Sequence, residues 1–97
     1  MNLAFLPEAR QDIFEAVEYY ESRKIGLGLR FRNEVAAMLN HVVSMPTLWR
    51  ERPGGYRRAN CPVFPYYIVY FIRGNFILVA AIAHDQRLPE FWKERVK

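Results

Sequence analysis

Cysteine occurs once in these 97 residues, at Cys61. A lone thiol excludes an internal disulfide. With two separated histidines, His41 and His84, it gives no recognisable zinc spacing, so no metal or cofactor is expected. Cys61 reads as inert packing in a strand or loop. Long hydrophobic runs are also missing. The longest, Phe64–Ile72, is broken by Arg73, whereas a membrane span needs roughly 20 apolar residues. The chain does not open on a positively charged leader with a small-residue cleavage site. The expectation is a soluble, cytoplasmic protein without membrane attachment. There are no repeats, low-complexity stretches or linkers, so residues 1–97 read as one domain. Lysine is scarce. Of 14 basic residues 11 are arginine, and the formal net charge is +4. That skew suits an acidic partner or nucleic acid, because the arginine fork matches carboxylate and phosphate. A GC-rich genome that favours arginine codons would produce the same skew.

What the chain does have is apolar mass. At 52% hydrophobic and 15% aromatic it is a folded globule. Its organising stretch is Phe64 to Arg95. Two runs rich in Val, Ile, Phe and Tyr, Tyr66–Arg73 and Phe76–His84, flank Gly74-Asn75 and read as a β-hairpin. Pro89, Trp92 and Arg95 follow in a short terminal helix. Upstream, Asn2–Leu6 reads as a strand, placed at a sheet edge. Pro7 suits the first position of a helix. Glu8 and Asp12 lie toward its N-terminal end, where the helix dipole favours negative charge. Ala9, Ile13, Ala16, Val17 and Tyr20 share one face of that helix, which runs to about Ser22 or Arg23. Gly26 and Gly28 interrupt it. A second helix starts near Leu27 or Leu29, with Phe31, Val35, Met38, Leu39 and Val42 as its apolar stripe, and stops before Pro46. His41 is a helix-edge residue. Thr47–Gly55 is a loop, in which Arg50 and Arg52 read as solvated, and Tyr56–Cys61 is a further short strand. The order β-α-α-β-β-β predicts an α+β fold: an antiparallel sheet, a helical hairpin on one face and a short C-terminal helix.

The hairpin strands are apolar on both sides. Tyr66, Ile68, Tyr70 and Ile72 oppose Tyr67, Val69 and Phe71. Strict alternation sets Phe76, Leu78, Ala80 and Ile82 against Ile77, Val79, Ala81 and Ala83. An antiparallel sheet with one wet face would alternate apolar and polar. One helical hairpin covers one face, and the terminal helix, clamped to the sheet by Trp92, is too short to cover more than part of the other, so the expectation is an apolar surface completed by a partner chain. Alternation also divides Arg57 from Arg58. One should face the helices and meet a carboxylate such as Glu15 or Glu18, and the other should face the open side.

An ordered set of residues resembles a known family. It comprises Pro7-Glu8-Ala9 with Asp12-Ile13, Tyr19-Tyr20, Gly26-Leu27-Gly28 with Phe31, and Pro46. Gly54-Gly55 with Arg57-Arg58 and Phe64-Pro65-Tyr66 with Val69-Tyr70 follow, and His84, Arg87, Pro89, Trp92 and Arg95 complete it. Over almost its whole length the chain resembles the ParE toxins of the RelE/ParE superfamily, also called plasmid stabilisation toxins. The resemblance implies a toxin of a type II toxin–antitoxin pair that inhibits DNA gyrase and forms a hetero-oligomer with a ParD-like antitoxin. On that reading the target-binding residues are Arg87, Trp92 and Arg95, and the antitoxin-binding residues are Arg58, Tyr66, Tyr70 and Phe31.

Two alternatives stay open. RelE relatives cut messenger RNA on the ribosome. Such chemistry needs a base, an acid and cations on the phosphate, which His84, Arg57, Arg58, Arg87 and a tyrosine such as Tyr70 could supply. RNA-cutting relatives carry a catalytic tyrosine or a dense acid–base cluster near the C-terminus, where this chain has Phe91, Trp92, Lys93 and Arg95. A non-toxic antitoxin-binding module of the same fold is the other alternative.

Overall fold

A computed structural model describes all residues, Met1–Lys97. Strand β1 (Asn2–Phe5) leads into helix α1 (Pro7–Arg23) and helix α2 (Leu27–Ser44). Strands β2 (Arg57–Asn60), β3 (Tyr66–Arg73) and β4 (Phe76–His84) follow, and a 3-10 segment (Phe91–Val96) ends the chain. Pro7 opens α1, where its missing N–H is no loss. At the β3–β4 turn the left-handed φ falls on Gly74 (+59°), the first of two turn residues, as a type II′ hairpin requires.

The two helices are stapled at their joint. Gly26 stands at the N-cap of α2 with φ +88° and contributes no side chain. The Glu21 carboxylate of α1 replaces it, accepting from the Gly26 N–H at 2.9 Å and the Gly28 N–H at 3.0 Å. Two of the four unpartnered N–H groups that open a helix are thereby satisfied by a negative charge at the positive dipole end.

The sheet order is β1-β4-β3-β2. β1 does lie at an edge, but it runs parallel to β4, so the sheet is mixed rather than antiparallel. A four-residue apolar run encodes which side chains share a face and carries nothing about strand direction. The β2–β3 and β3–β4 pairs are antiparallel.

Strict alternation along β4 also fails. Val69 pairs with Ala81 while Tyr70 pairs with Val79, which leaves Ala80 as an extra, bulged residue. Ile82 therefore joins Ile77 and Val79 on the helical side, and Ala81 and Ala83 join Leu78 on the other. The helical-side core packs Phe31, Val35, Leu39 and Val42 against Ile68, Tyr70, Ile77 and Val79.

The far face overturns the expectation of an open apolar surface. Tyr56, Tyr67, Val69, Phe71, Ala80, Ala81 and Ala83 are buried there under Trp92. Two features make this short roof sufficient. Three alanines keep the face low, and Trp92 packs on it with Phe91 and Val96, meeting Tyr56 at 4.6 Å and Phe71 at 5.9 Å between ring centroids. Arginine guanidiniums then cover the margins, with Arg58 over Tyr67 at 3.7 Å and Arg73 over Phe71 at 4.9 Å.

Candidate functional site

A cleft of about 240 Å³ lies where α1 crosses the end of the hairpin. Asp12, Glu15, Ala16 and Tyr19 recur at three- and four-residue spacing on α1 and line one wall. Tyr66, His84 and Arg87 line the other. Sheet register pairs Tyr66 with His84, and their rings meet edge to face at 5.1 Å. His84 Nδ1 accepts from the Gln86 N–H at 3.1 Å, so Nε2 is the nitrogen left to carry a proton. The histidine holds the turn after β4. Burial pushes the Tyr66 hydroxyl up to about 12, with neighbouring Tyr20 adding to the shift. Arg87 is exposed and lies 3.7 Å over the Phe91 ring. Glu15 accepts a hydrogen bond from Gln11 at 3.2 Å.

The other residues singled out from sequence lie elsewhere. Phe31 and Tyr70 are fully buried in the helical-side core. The Tyr70 hydroxyl donates to the Pro46 carbonyl at 2.7 Å. Arg57 and Arg58 take opposite faces, as alternation requires. Arg57 does not reach Glu15 or Glu18. Its Nη1 donates to the Trp49 carbonyl at 2.7 Å, and Nη2 stands 3.7 Å from Glu51. Glu15 lines the cleft against β4, two strands away from β2, whereas β2 sits beside the 47–55 loop that carries Trp49 and Glu51. Arg58 lies on the roofed face. His84, Arg87 and Tyr66 thus converge, while Arg57, Arg58 and Tyr70 do not join them.

Asp12 is the site residue that sequence reasoning missed. It is the one buried charged side chain. Arg95 grips it with both terminal nitrogens, Nη1 to Oδ2 at 2.7 Å and Nη2 to Oδ1 at 3.0 Å. Oδ2 also accepts from the Ile82 N–H at 3.1 Å, and Arg95 Nη1 donates to the Ala80 carbonyl at 3.1 Å. The pair therefore satisfies the backbone of β4 where β1 has already ended at Phe5. Hydrogen bonding to Asp12 holds the Arg95 guanidinium above its ordinary value. The signal was present in the sequence, since Asp12 falls on the Ala9–Ala16 face of α1.

Cys61 is buried, and burial pushes its thiol up to about 11, which fits inert packing. No helix is long and apolar enough to cross a membrane.

Comparison with known proteins agrees with the architecture. A solved structure, the chromosomal ParDE toxin–antitoxin system from P. aeruginosa, superposes with a TM-score of 0.74 at 18% identity. The match covers 87% of this chain and 95% of that one. No curated relative matches the sequence. The family model for the ParE toxin of the type II toxin–antitoxin system parDE matches residues 3–89. On that match, spanning nearly the whole fold described above, the chain belongs to the ParE toxin family of type II toxin–antitoxin systems.

Proposed function

We infer that the chain is a non-enzymatic toxin that binds and blocks DNA gyrase and is neutralised by a ParD-like antitoxin. The observation that carries this reading is the ParE family match over residues 3–89. Arg87, Trp92 and Arg95 form the target-binding set, in which Arg87 presents its charge while Trp92 and Arg95 hold the terminal segment in place. For the antitoxin, Arg58 and Tyr66 offer surface on opposite faces, while Phe31, 4.9 Å from Tyr66 between ring centroids, and Tyr70 are fully buried and offer none. The antitoxin is not needed to roof the sheet, which the chain's own C-terminal segment covers.

The convergence of His84, Arg87 and Tyr66 beside Glu15 favours one second reading, a ribosome-dependent endoribonuclease. The separation of Arg57, Arg58 and Tyr70 from that cleft weighs against it.

Purified chain titrated into a gyrase supercoiling reaction tests the proposal. Supercoiling should fall as protein rises, and an added ParD-like antitoxin should restore it. Full supercoiling at saturating protein overturns the gyrase reading. Cut transcripts mapped by primer extension, lost on His84→Ala, would establish the nuclease instead.

A further inference from the structure

On the sheet face away from the helices, at the edge of the C-terminal roof, lies a second cavity of about 250 Å³. Arg52, Tyr56, Arg58, Tyr67, Glu90 and Trp92 line it. Its charge is unbalanced. The chain's ion pairs are made by Arg57, Lys93, Arg95 and Lys97, so neither Arg52 nor Arg58 has a carboxylate partner. The cavity's one acid, Glu90, is occupied by Lys93 at 2.7 Å. Arg58 lies flat on Tyr67 at 3.7 Å and spends Nε on Asn60 Oδ1 at 3.3 Å, which leaves both terminal nitrogens uncommitted. Tyr56 and Tyr67 line the cavity, and neither hydroxyl is a buried atom left without a partner.

Two half-buried arginines line one hollow and neither is paired with a carboxylate. An oxyanion in that hollow would supply the charge-assisted partner both forks lack. One arginine fork already saturates the two oxygens of a carboxylate. Two forks and two phenol hydroxyls match the larger oxygen set of a phosphate. The volume lies below the range of drug-sized pockets, so the cavity encloses a phosphate and the group next to it, and the outer part of a mononucleotide would lie outside.

We propose that this cavity is a phosphate-binding site for a small phosphomonoester, of mononucleotide size or less, held by Arg52 and Arg58. The site does not depend on gyrase being the target.

The test is NMR of the arginine Nε–H signals of the purified chain at constant ionic strength, which keeps general screening fixed. Inorganic phosphate and adenosine 5′-monophosphate should each shift Arg52 and Arg58 saturably, while adenosine does not. Arg52→Ala should weaken the response about tenfold. Arg58→Lys keeps the charge but loses the fork that lies over Tyr67, and should weaken it by a similar factor. Unsaturable shifts, equal shifts at Arg32 and Arg50, or an undiminished response in Arg52→Ala overturn the proposal. So does a tetraglutamate peptide that moves the same signals at lower concentration than phosphate, which would make the cavity a carboxylate site.

Discussion

Asp12 and Arg95 lie 83 positions apart in sequence and meet in a bidentate pair that replaces the strand β1 does not supply. Their side chains are 7% and 15% exposed, so the pair is largely screened from water. The desolvation cost of two such charges is offset by four hydrogen bonds, two within the pair and two to the β4 backbone. The pair also ties the terminal segment to α1.

Removing either partner strands the other. Asp12→Ala and Arg95→Ala should each destabilise by about 3 kcal/mol in urea unfolding. The double variant should cost much less than their sum, because it leaves no lone buried charge. Additive losses would show that the two residues act independently.

Trp92→Ala opens the roof. The loss should be about 3–4 kcal/mol, with the cavity bordered by Tyr56 and Phe71. Binding of a hydrophobic dye to the native state should rise as the far face is uncovered. An unchanged midpoint would mean that the segment does not cover the sheet in solution.

The helical joint gives a contrast between two glycines. A Cβ at Gly28 would stand 2.6 Å from the Val17 carbonyl oxygen, a backbone atom that cannot step aside. Gly28→Ala should cost about 1–3 kcal/mol. At Gly26 nothing lies within 4 Å of the added carbon, so the cost is confined to its positive φ, roughly 1 kcal/mol. Thermal unfolding of the two variants should rank them in that order.

Stability should fall on the alkaline side. Burial raises Cys61 from 9.0 to about 11 and Tyr66 from 10.0 to about 12. A raised pKa in the fold means that the native state holds its proton more tightly. The contribution is complete below the unfolded value and is lost as pH climbs through the folded one. For Cys61 that window is pH 9 to 11, and for Tyr66 it is pH 10 to 12. Urea midpoints against pH should decline across it, and Cys61→Ala should remove the lower part of the decline. At pH 8 the thiol should react with a disulfide reagent only after unfolding.

Arg87 is an exposed basic residue that rests on Phe91 of the terminal segment. Arg87→Glu should change stability by less than about 0.5 kcal/mol. It should weaken gyrase inhibition at least about tenfold through lost charge contacts. Equal inhibition by both proteins would remove Arg87 from the target surface.

The elements themselves were legible because their signals are local. Pro7, Gly26 and Gly74 bound or turn the chain through φ preferences that act within one or two residues. The stripe Phe31–Val42 and the alternation of β3 are short-period patterns that any register must respect. The cleft was barely legible: regular pairing from Arg73–Phe76 sets Tyr66 opposite Ala83, and only the bulge at Ala80 brings it opposite His84, while the α1 wall depends on how the helix crosses the sheet. Other features required the assembled molecule. The parallel direction of β1, the bulge at Ala80, the Glu51 partner of Arg57 and the roof of Trp92 over three alanines all depend on which surfaces meet after the chain returns on itself. Asp12 shows the division most clearly. Its place on the buried face was written in the spacing of α1, but its role needed a guanidinium 83 residues downstream and a strand that ended too soon, and periodicity carries no record of either.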